Sequence, residues 1–219
     1  MNKFVEPLIL YAVLFFRIST AAAPGEPADF SVIGETARIV LHNIPSLALV
    51  WYLMLKVKSL KEWKIGLPWK RDLIPFALAF PALILIGLTI SIVSHRLDEI
   101  PSSPLFLPPQ GVVSWGVLVI SCFSTAYLEE SFFRFYLLSK REELGLGPHR
   151  AILASALLFS FCHIYEGPWG FLNAALSGIM LAFIFLRFRS LHSIAFAHAL
   201  YNILVYILNI AQNGGGSAG

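Results

Sequence analysis

Apolar residues run almost unbroken through seven stretches, at roughly 5–22, 36–56, 73–94, 112–138, 150–164, 170–187 and 193–211, separated by short polar connectors. A helix that spans a bilayer needs about 20 such residues, because the hydrocarbon core is about 30 Å thick and each helical residue advances about 1.5 Å. The pattern therefore predicts an all-α, polytopic transmembrane bundle of about seven helices. The fifth stretch is shorter than a full span and ends at Gly167-Pro168. Short helices are tolerated where they line a protein-enclosed cavity rather than lipid. No polar stretch is long enough for a separate soluble domain, so residues 1–213 read as a single domain. Residues 214–219, Gly-Gly-Gly-Ser-Ala-Gly, read as a flexible tail. No internal repeat supports an inverted-repeat transporter.

Composition strengthens this picture. The chain is 57% hydrophobic and 13% charged, where soluble domains carry about 25% charged residues. Its mean hydropathy is +0.73. Lipid must be part of its solvent, and a net charge of +3 is too small to indicate nucleic acid as a partner. The two cysteines, Cys122 and Cys162, lie inside apolar stretches without CxxC spacing, which argues against a disulfide framework or a cysteine metal site. Basic residues cluster in alternate connectors: Lys56, Lys58, Lys61, Lys64, Lys70 and Arg71, then Lys140, Arg141 and Arg150, then Arg187 and Arg189. By the positive-inside rule these connectors face the cytoplasm, with the N-terminus inside, and the expected location is a bacterial cytoplasmic membrane. At the N-terminus, Lys3, the apolar stretch 7–16 and Ala21-Ala22-Ala23 also fit a cleavable signal peptide over residues 1–23, but Glu6 and Arg17 favour a retained helix. Residues 95–111 read as an interfacial loop, and Trp63 and Trp69 suit an amphipathic stretch on the inner leaflet.

Ionisable groups near the centre of a span cost at least ~2.5–3.5 kcal/mol each, so they mark function by default. The fourth stretch carries Glu129, Glu130 and Arg134, the fifth His163, and the seventh His198 and Asn202. Glu129 lies eleven residues before Lys140, His163 thirteen after Arg150, and His198 and Asn202 six and ten after His192. At helical rise all four fall roughly 9–20 Å from the inner edge of the core and can meet at one depth. His198 and Asn202 share a helix face, as do Phe159 and His163, and Arg134 pairs most naturally with Glu130. Glu129 is then left without a cation, the condition under which a carboxyl can serve as a general acid or base. His42, with Arg38 and Glu35 one and two turns earlier, reads as a satisfied structural residue. Cys162 next to His163 diverges from it by about 100° and lacks an orienting third group, which disfavours a thiol nucleophile.

Glu129-Glu130-Ser131-Phe132-Phe133-Arg134 is an EExxxR pattern, Phe159 to His163 an FxxxH pattern and His198 to Asn202 an HxxxN pattern. In this order, with Gly167, Gly170 and Gly178 after the second, they resemble the signature of the CPBP family of CAAX-processing and bacteriocin-processing intramembrane proteases, over a motif core at 112–205. The resemblance implies an intramembrane endopeptidase of glutamic type. Glu129 and His163 would activate water, His198 and Asn202 would steady the oxyanion, and Glu130, Arg134 and Phe159 would support them. Its substrate would be a protein or peptide, with a prenylated C-terminal tripeptide, a peptide leader or a membrane-anchored C-terminal segment as candidates, reached from the surrounding membrane lipid.

Three other readings remain open at this stage. Glu129, His163 and His198 can supply three zinc ligands, although no HExxH is present and an asparagine beside His198 suits an oxyanion donor better than a zinc ligand, so no cofactor is expected. A non-catalytic bacteriocin-immunity protein would use the same scaffold for binding. A proton-coupled transporter would use the same buried carboxylate and histidines.

Overall fold

The computed structural model describes residues 3–15, 30–63, 65, 72–97 and 108–214. Arg17, Ala21-Ala22-Ala23, Lys64, Trp69, Lys70, Arg71, most of the 95–111 loop and residues 215–219 therefore lie outside the described residues. Seven helical units follow one another: α1 Val5–Phe15, α2 Val32–Val57, α3 Leu73–Arg96, α4 Gly111–Leu138, α5 Pro148–Phe161, α6 Gly167–Phe188 and α7 Leu191–Gly214. Among the described residues there is no strand. Among the described residues five helices are long and apolar enough to cross a membrane: α2, α3, α4, α6 with the short turn before it, and α7. Large apolar side chains face outward all round them, including Ile33, Leu41, Leu85 and Val112. An apolar exterior of this extent is stable in lipid and not in water. The chain is an integral membrane protein.

The helices begin where local chemistry lets them. Ser31 caps α2 by accepting from the Gly34 N–H at 3.1 Å, and Pro148 and Pro168 sit in the first turns of α5 and α6, where a missing N–H costs nothing. Ser190, just before α7, donates to the buried Asp72 ahead of α3, and Ser193 donates to the Asp72 carbonyl at 2.7 Å, so the two helices start from one joint.

Two helices contain a π-helical segment, Ile39–Asn43 in α2 and Ser131–Leu138 in α4. The wider turn changes which residues share a face. In α2 it brings Arg38 and Asn43, five apart, onto the same atom: both donate to Thr125 Oγ1, at 2.9 and 3.2 Å. In α4 all eight side chains of the segment are buried, a bulky run of four aromatics among them. Tyr11 and Phe15 of α1 pack at tilted and edge-on angles against Phe132 and Phe133, and Trp51 of α2 meets Phe135 and donates to Ser131 Oγ at 3.0 Å. α4 is the axis of the bundle: α5 packs on its π segment, α7 along its first two-thirds, α2 in parallel beside it, and α3 closes over α6 and α7.

The basic connectors share one end, as their alternation predicts. Lys140 pairs with Glu6 at 2.7 Å. Arg189 donates to Ser139 Oγ at 3.0 Å and to the Trp63 carbonyl at 3.3 Å. Trp63 departs from expectation. It is buried, donates to the Met54 carbonyl at 2.9 Å and stands edge-on to Phe135, so it belongs to the core and not to a leaflet surface. The turn before it is tied by Ser59, whose N–H and hydroxyl both donate to Glu62 and hold that exposed carboxyl below the usual carboxylate range.

Candidate active site

The three sequence motifs meet around one aromatic ring. Glu129 and Glu130 end the regular part of α4, and Arg134 lies in its π segment. Glu130 and Arg134 are fully buried, with Arg134 Nε 3.1 Å from Glu130 Oε2. Neither atom has a well-directed hydrogen-bond partner, so their attraction is mainly that of two charges in a medium that screens them poorly. Arg134 also sits 4.6 Å from the centre of the Phe159 ring, a cation–π contact, and reaches the Gly178 carbonyl at 3.5 Å. Phe159 in turn touches His163 at 4.6 Å and, edge-on, His198 at 5.8 Å between ring centres. The phenylalanine of FxxxH thus joins the arginine of EExxxR to both histidines.

Gly178 of α6 makes this closeness possible. A Cβ there would lie 3.1 Å from Ala156 Cα and 3.3 Å from the Phe159 ring, so any side chain would push α6 away from α5. Gly167, with φ of +78°, lets the chain turn sharply into α6 directly after the second motif.

His163 departs from the reading that placed it within the fifth helix. α5 ends at Phe161, and His163 stands beyond it with φ −108° and ψ 12°, ahead of a 3-10 turn at Ile164–Glu166. The helix frays there because Gly167 and Pro168 redirect the chain. Its Nδ1 nevertheless donates to the Phe159 carbonyl at 2.9 Å. A carbonyl can only accept, so Nδ1 carries the hydrogen and Nε2 is left to act as an acceptor in the neutral ring. His163 is half-buried and makes no direct hydrogen bond to Glu129.

His198 is held between the two carboxylates. Its Nδ1 lies 2.9 Å from Glu130 Oε1, and its Nε2 lies 3.6 Å from Glu129 Oε2. Glu130 therefore does more than neutralise Arg134: one oxygen faces the guanidinium and the other fixes the imidazole. Glu129, 4% exposed, has no lysine or arginine within ion-pair distance among the described residues. The sequence reading that gave Arg134 to Glu130 agrees with this geometry, whereas the Glu130–His198 bond carries no signal in helical spacing, being a contact between residues 68 apart. Asn202, one turn beyond His198 on α7, is half-buried and makes no hydrogen bond to another described residue.

The remaining polar residues fall outside this knot. Cys162 is buried and its thiol faces the Tyr11 hydroxyl and the Leu158 carbonyl, both at 3.5 Å, on the α1 side. His42 Nε2 donates to the Leu14 carbonyl at 3.0 Å and its Nδ1 lies 3.0 Å from Asn43 Oδ1, the structural role expected of it. Among the described residues no three His, Cys, Asp or Glu side chains converge as a metal site requires, and the Glu129, His163 and His198 set is not drawn into one.

The helical bundle thus gathers carboxylates, imidazoles and a guanidinium at its centre. Residues 111–204 match the family described as Rce1-like, type II CAAX prenyl endopeptidase. The match runs from the start of α4 to just past Asn202 and holds all three motifs. No curated protein and no solved structure matches the chain.

Proposed function

We propose that the chain is a glutamate- and histidine-dependent intramembrane endopeptidase that cleaves a peptide bond near the terminus or membrane anchor of a substrate protein. The observation that carries this reading is the division of labour between adjacent carboxylates. Glu130 is committed to Arg134 and His198, while Glu129 is buried, unpaired with a strong cation and 3.6 Å from His198 Nε2. That separation is too long for a direct hydrogen bond and leaves the Glu129 carboxylate facing the imidazole without engaging it. In the proposed reaction Glu129 takes a proton from water, with His163 positioning that water. The hydroxide adds to the scissile carbonyl, and the C–N bond breaks as Glu129 passes the proton to the leaving amine. Asn202 donates its amide N–H to the oxyanion between these steps, and so does His198 Nε2 when the ring, with Nδ1–H held by Glu130, carries both hydrogens. No step requires a metal. A lipidated or membrane-anchored C-terminal segment is the favoured substrate, entering from a bacterial cytoplasmic membrane with the basic end of the bundle inside.

The test is comparative mass spectrometry of membrane and secreted proteins from cells carrying the intact protein or Glu129→Gln at equal abundance. New termini that require Glu129 are expected. Identical termini in both would overturn the protease reading, and activity lost to a chelator and restored by zinc would replace the metal-free mechanism.

A further inference from the structure

Asn202 has no tie of its own. Glu130 holds His198 and the Phe159 carbonyl holds His163, whereas Asn202 makes no hydrogen bond to another described residue. Its direction therefore follows the rotation of α7, and a helix gripped only at His198 can still turn about that grip.

The preceding residue, Tyr201, supplies a second grip. Its ring packs against the core and its hydroxyl reaches two other helices. On α6, Asn173 Nδ2 donates to that hydroxyl at 3.3 Å, the sole hydrogen bond of the Asn173 side chain among the described residues, since its buried Oδ1 has no partner. On α3, the hydroxyl rests against Gly87. A Cβ at Gly87 would collide with the hydroxyl oxygen, while the nearest ring carbons would lie 3.2 and 3.3 Å away, tight contacts that a small shift relieves. The missing side chain at Gly87 thus makes room for one group, the hydroxyl. Because the ring is packed, the hydroxyl can retreat only if α7 turns or α3 backs away.

The two grips act on different sides of α7. His198 fastens it to α4, and Tyr201, about 60° round the helix from His198 and about 100° from Asn202, fastens it to α3 and α6. Ser190 and Ser193 already join the start of α7 to the start of α3. Tyr201 adds a second point on that contact, about 12 Å beyond Ser193.

We propose that Tyr201, Asn173 and Gly87 are positioning residues: the Tyr201 hydroxyl, seated on Gly87 and bonded by Asn173, sets the rotation of α7 and so aims Asn202 at the oxyanion. The role of Asn202 rests on the protease reading above.

The experiment uses the full chain in lipid nanodiscs with Gly87→Ala, Tyr201→Phe, or both. Cleavage of a quenched fluorescent farnesylated peptide with a CAAX-type C-terminus gives KM and kcat per folded molecule. A readout independent of cleavage is the rate at which N-ethylmaleimide alkylates Asn202→Cys in a chain whose Cys122 and Cys162 are replaced by alanine. Gly87→Ala should lower kcat at least about tenfold with KM within about twofold, and shift alkylation at position 202 at least about threefold, because a misplaced donor loses much of its effect. Tyr201→Phe keeps the ring and loses the hydroxyl, so kcat should fall by about threefold. Combining the two should return both readouts to the Tyr201→Phe level, since the colliding atom is gone. Unchanged kcat and alkylation in Gly87→Ala overturn the proposal, as does a double variant no better than Gly87→Ala, which would make the defect one of general crowding. If Gly87→Ala does not fold, Tyr201→Phe decides: a fall in kcat with a shift in alkylation supports the proposal, and equality with the unaltered protein overturns it. If alkylation follows the expected pattern but no form of the protein cleaves the peptide, the seating of α7 stands and the protease reading falls.

Discussion

Glu130–Arg134 on α4 and Glu35–Arg38 on α2 are both ion pairs within one helix, four and three residues apart; the first reaches into a π-helical segment and the second ends just before one. The first is fully buried, its charges screened by nothing but each other, the Phe159 ring and His198. The second is open at one edge and bonded to three hydroxyl or carboxyl oxygens of α2 and α4. The same residue types therefore have opposite uses. A buried pair cannot be broken without stranding a charge, so it holds geometry. A partly exposed pair keeps free donor and acceptor capacity and is stabilised little by its own attraction.

The sharpest way to break this comparison is to remove one partner of the buried pair. Glu130→Gln or Arg134→Gln should cost about 3–5 kcal/mol of stability, read from thermal unfolding in detergent, and cleavage should fail with the fold. A stable, inactive Glu130→Gln would move the catalytic role from Glu129 to Glu130. Next in size, Glu129→Gln should leave the melting temperature near that of the unsubstituted protein while peptide cleavage drops by about 10²–10⁴-fold, the span usual for a lost general acid or base. Normal cleavage there would sink the proposed mechanism.

A smaller effect sharpens the role of close packing. Gly178→Ala forces α6 from Ala156 and Phe159, and about 1–3 kcal/mol of destabilisation is expected, with cleavage reduced because Phe159 no longer aligns both histidines. No change in either quantity would show that the helices yield at no cost. The smallest effect belongs to the open pair: Glu35→Gln should shift stability by no more than about 1 kcal/mol. A loss as large as that of Glu130→Gln would make the two pairs alike and erase the distinction.

The amino-acid sequence by itself determined the membrane environment, the helix count and the shared side of the basic connectors, because hydrophobic length and charge placement are read directly by a bilayer. It also determined the partner of Arg134, since residues four apart on a helix are neighbours in both α and π turns. Its three motifs contain Glu129, Glu130, Arg134, Phe159, His163 and His198, but not the way these side chains touch. Only the tertiary structure decided that Phe159 is the common contact of Arg134, His163 and His198, that Glu130 grips His198, and that His163 stands past the end of α5. The same holds for α1 and α2, where no motif is visible: Phe15, Arg38 and Asn43 reach α4 through contacts between residues far apart in the chain. Helical periodicity carries information about neighbours within a turn or two. Contacts between helices depend on packing angle, on the π segments that reset the facing and on a missing side chain at Gly178, and none of these has a local signature in the chain.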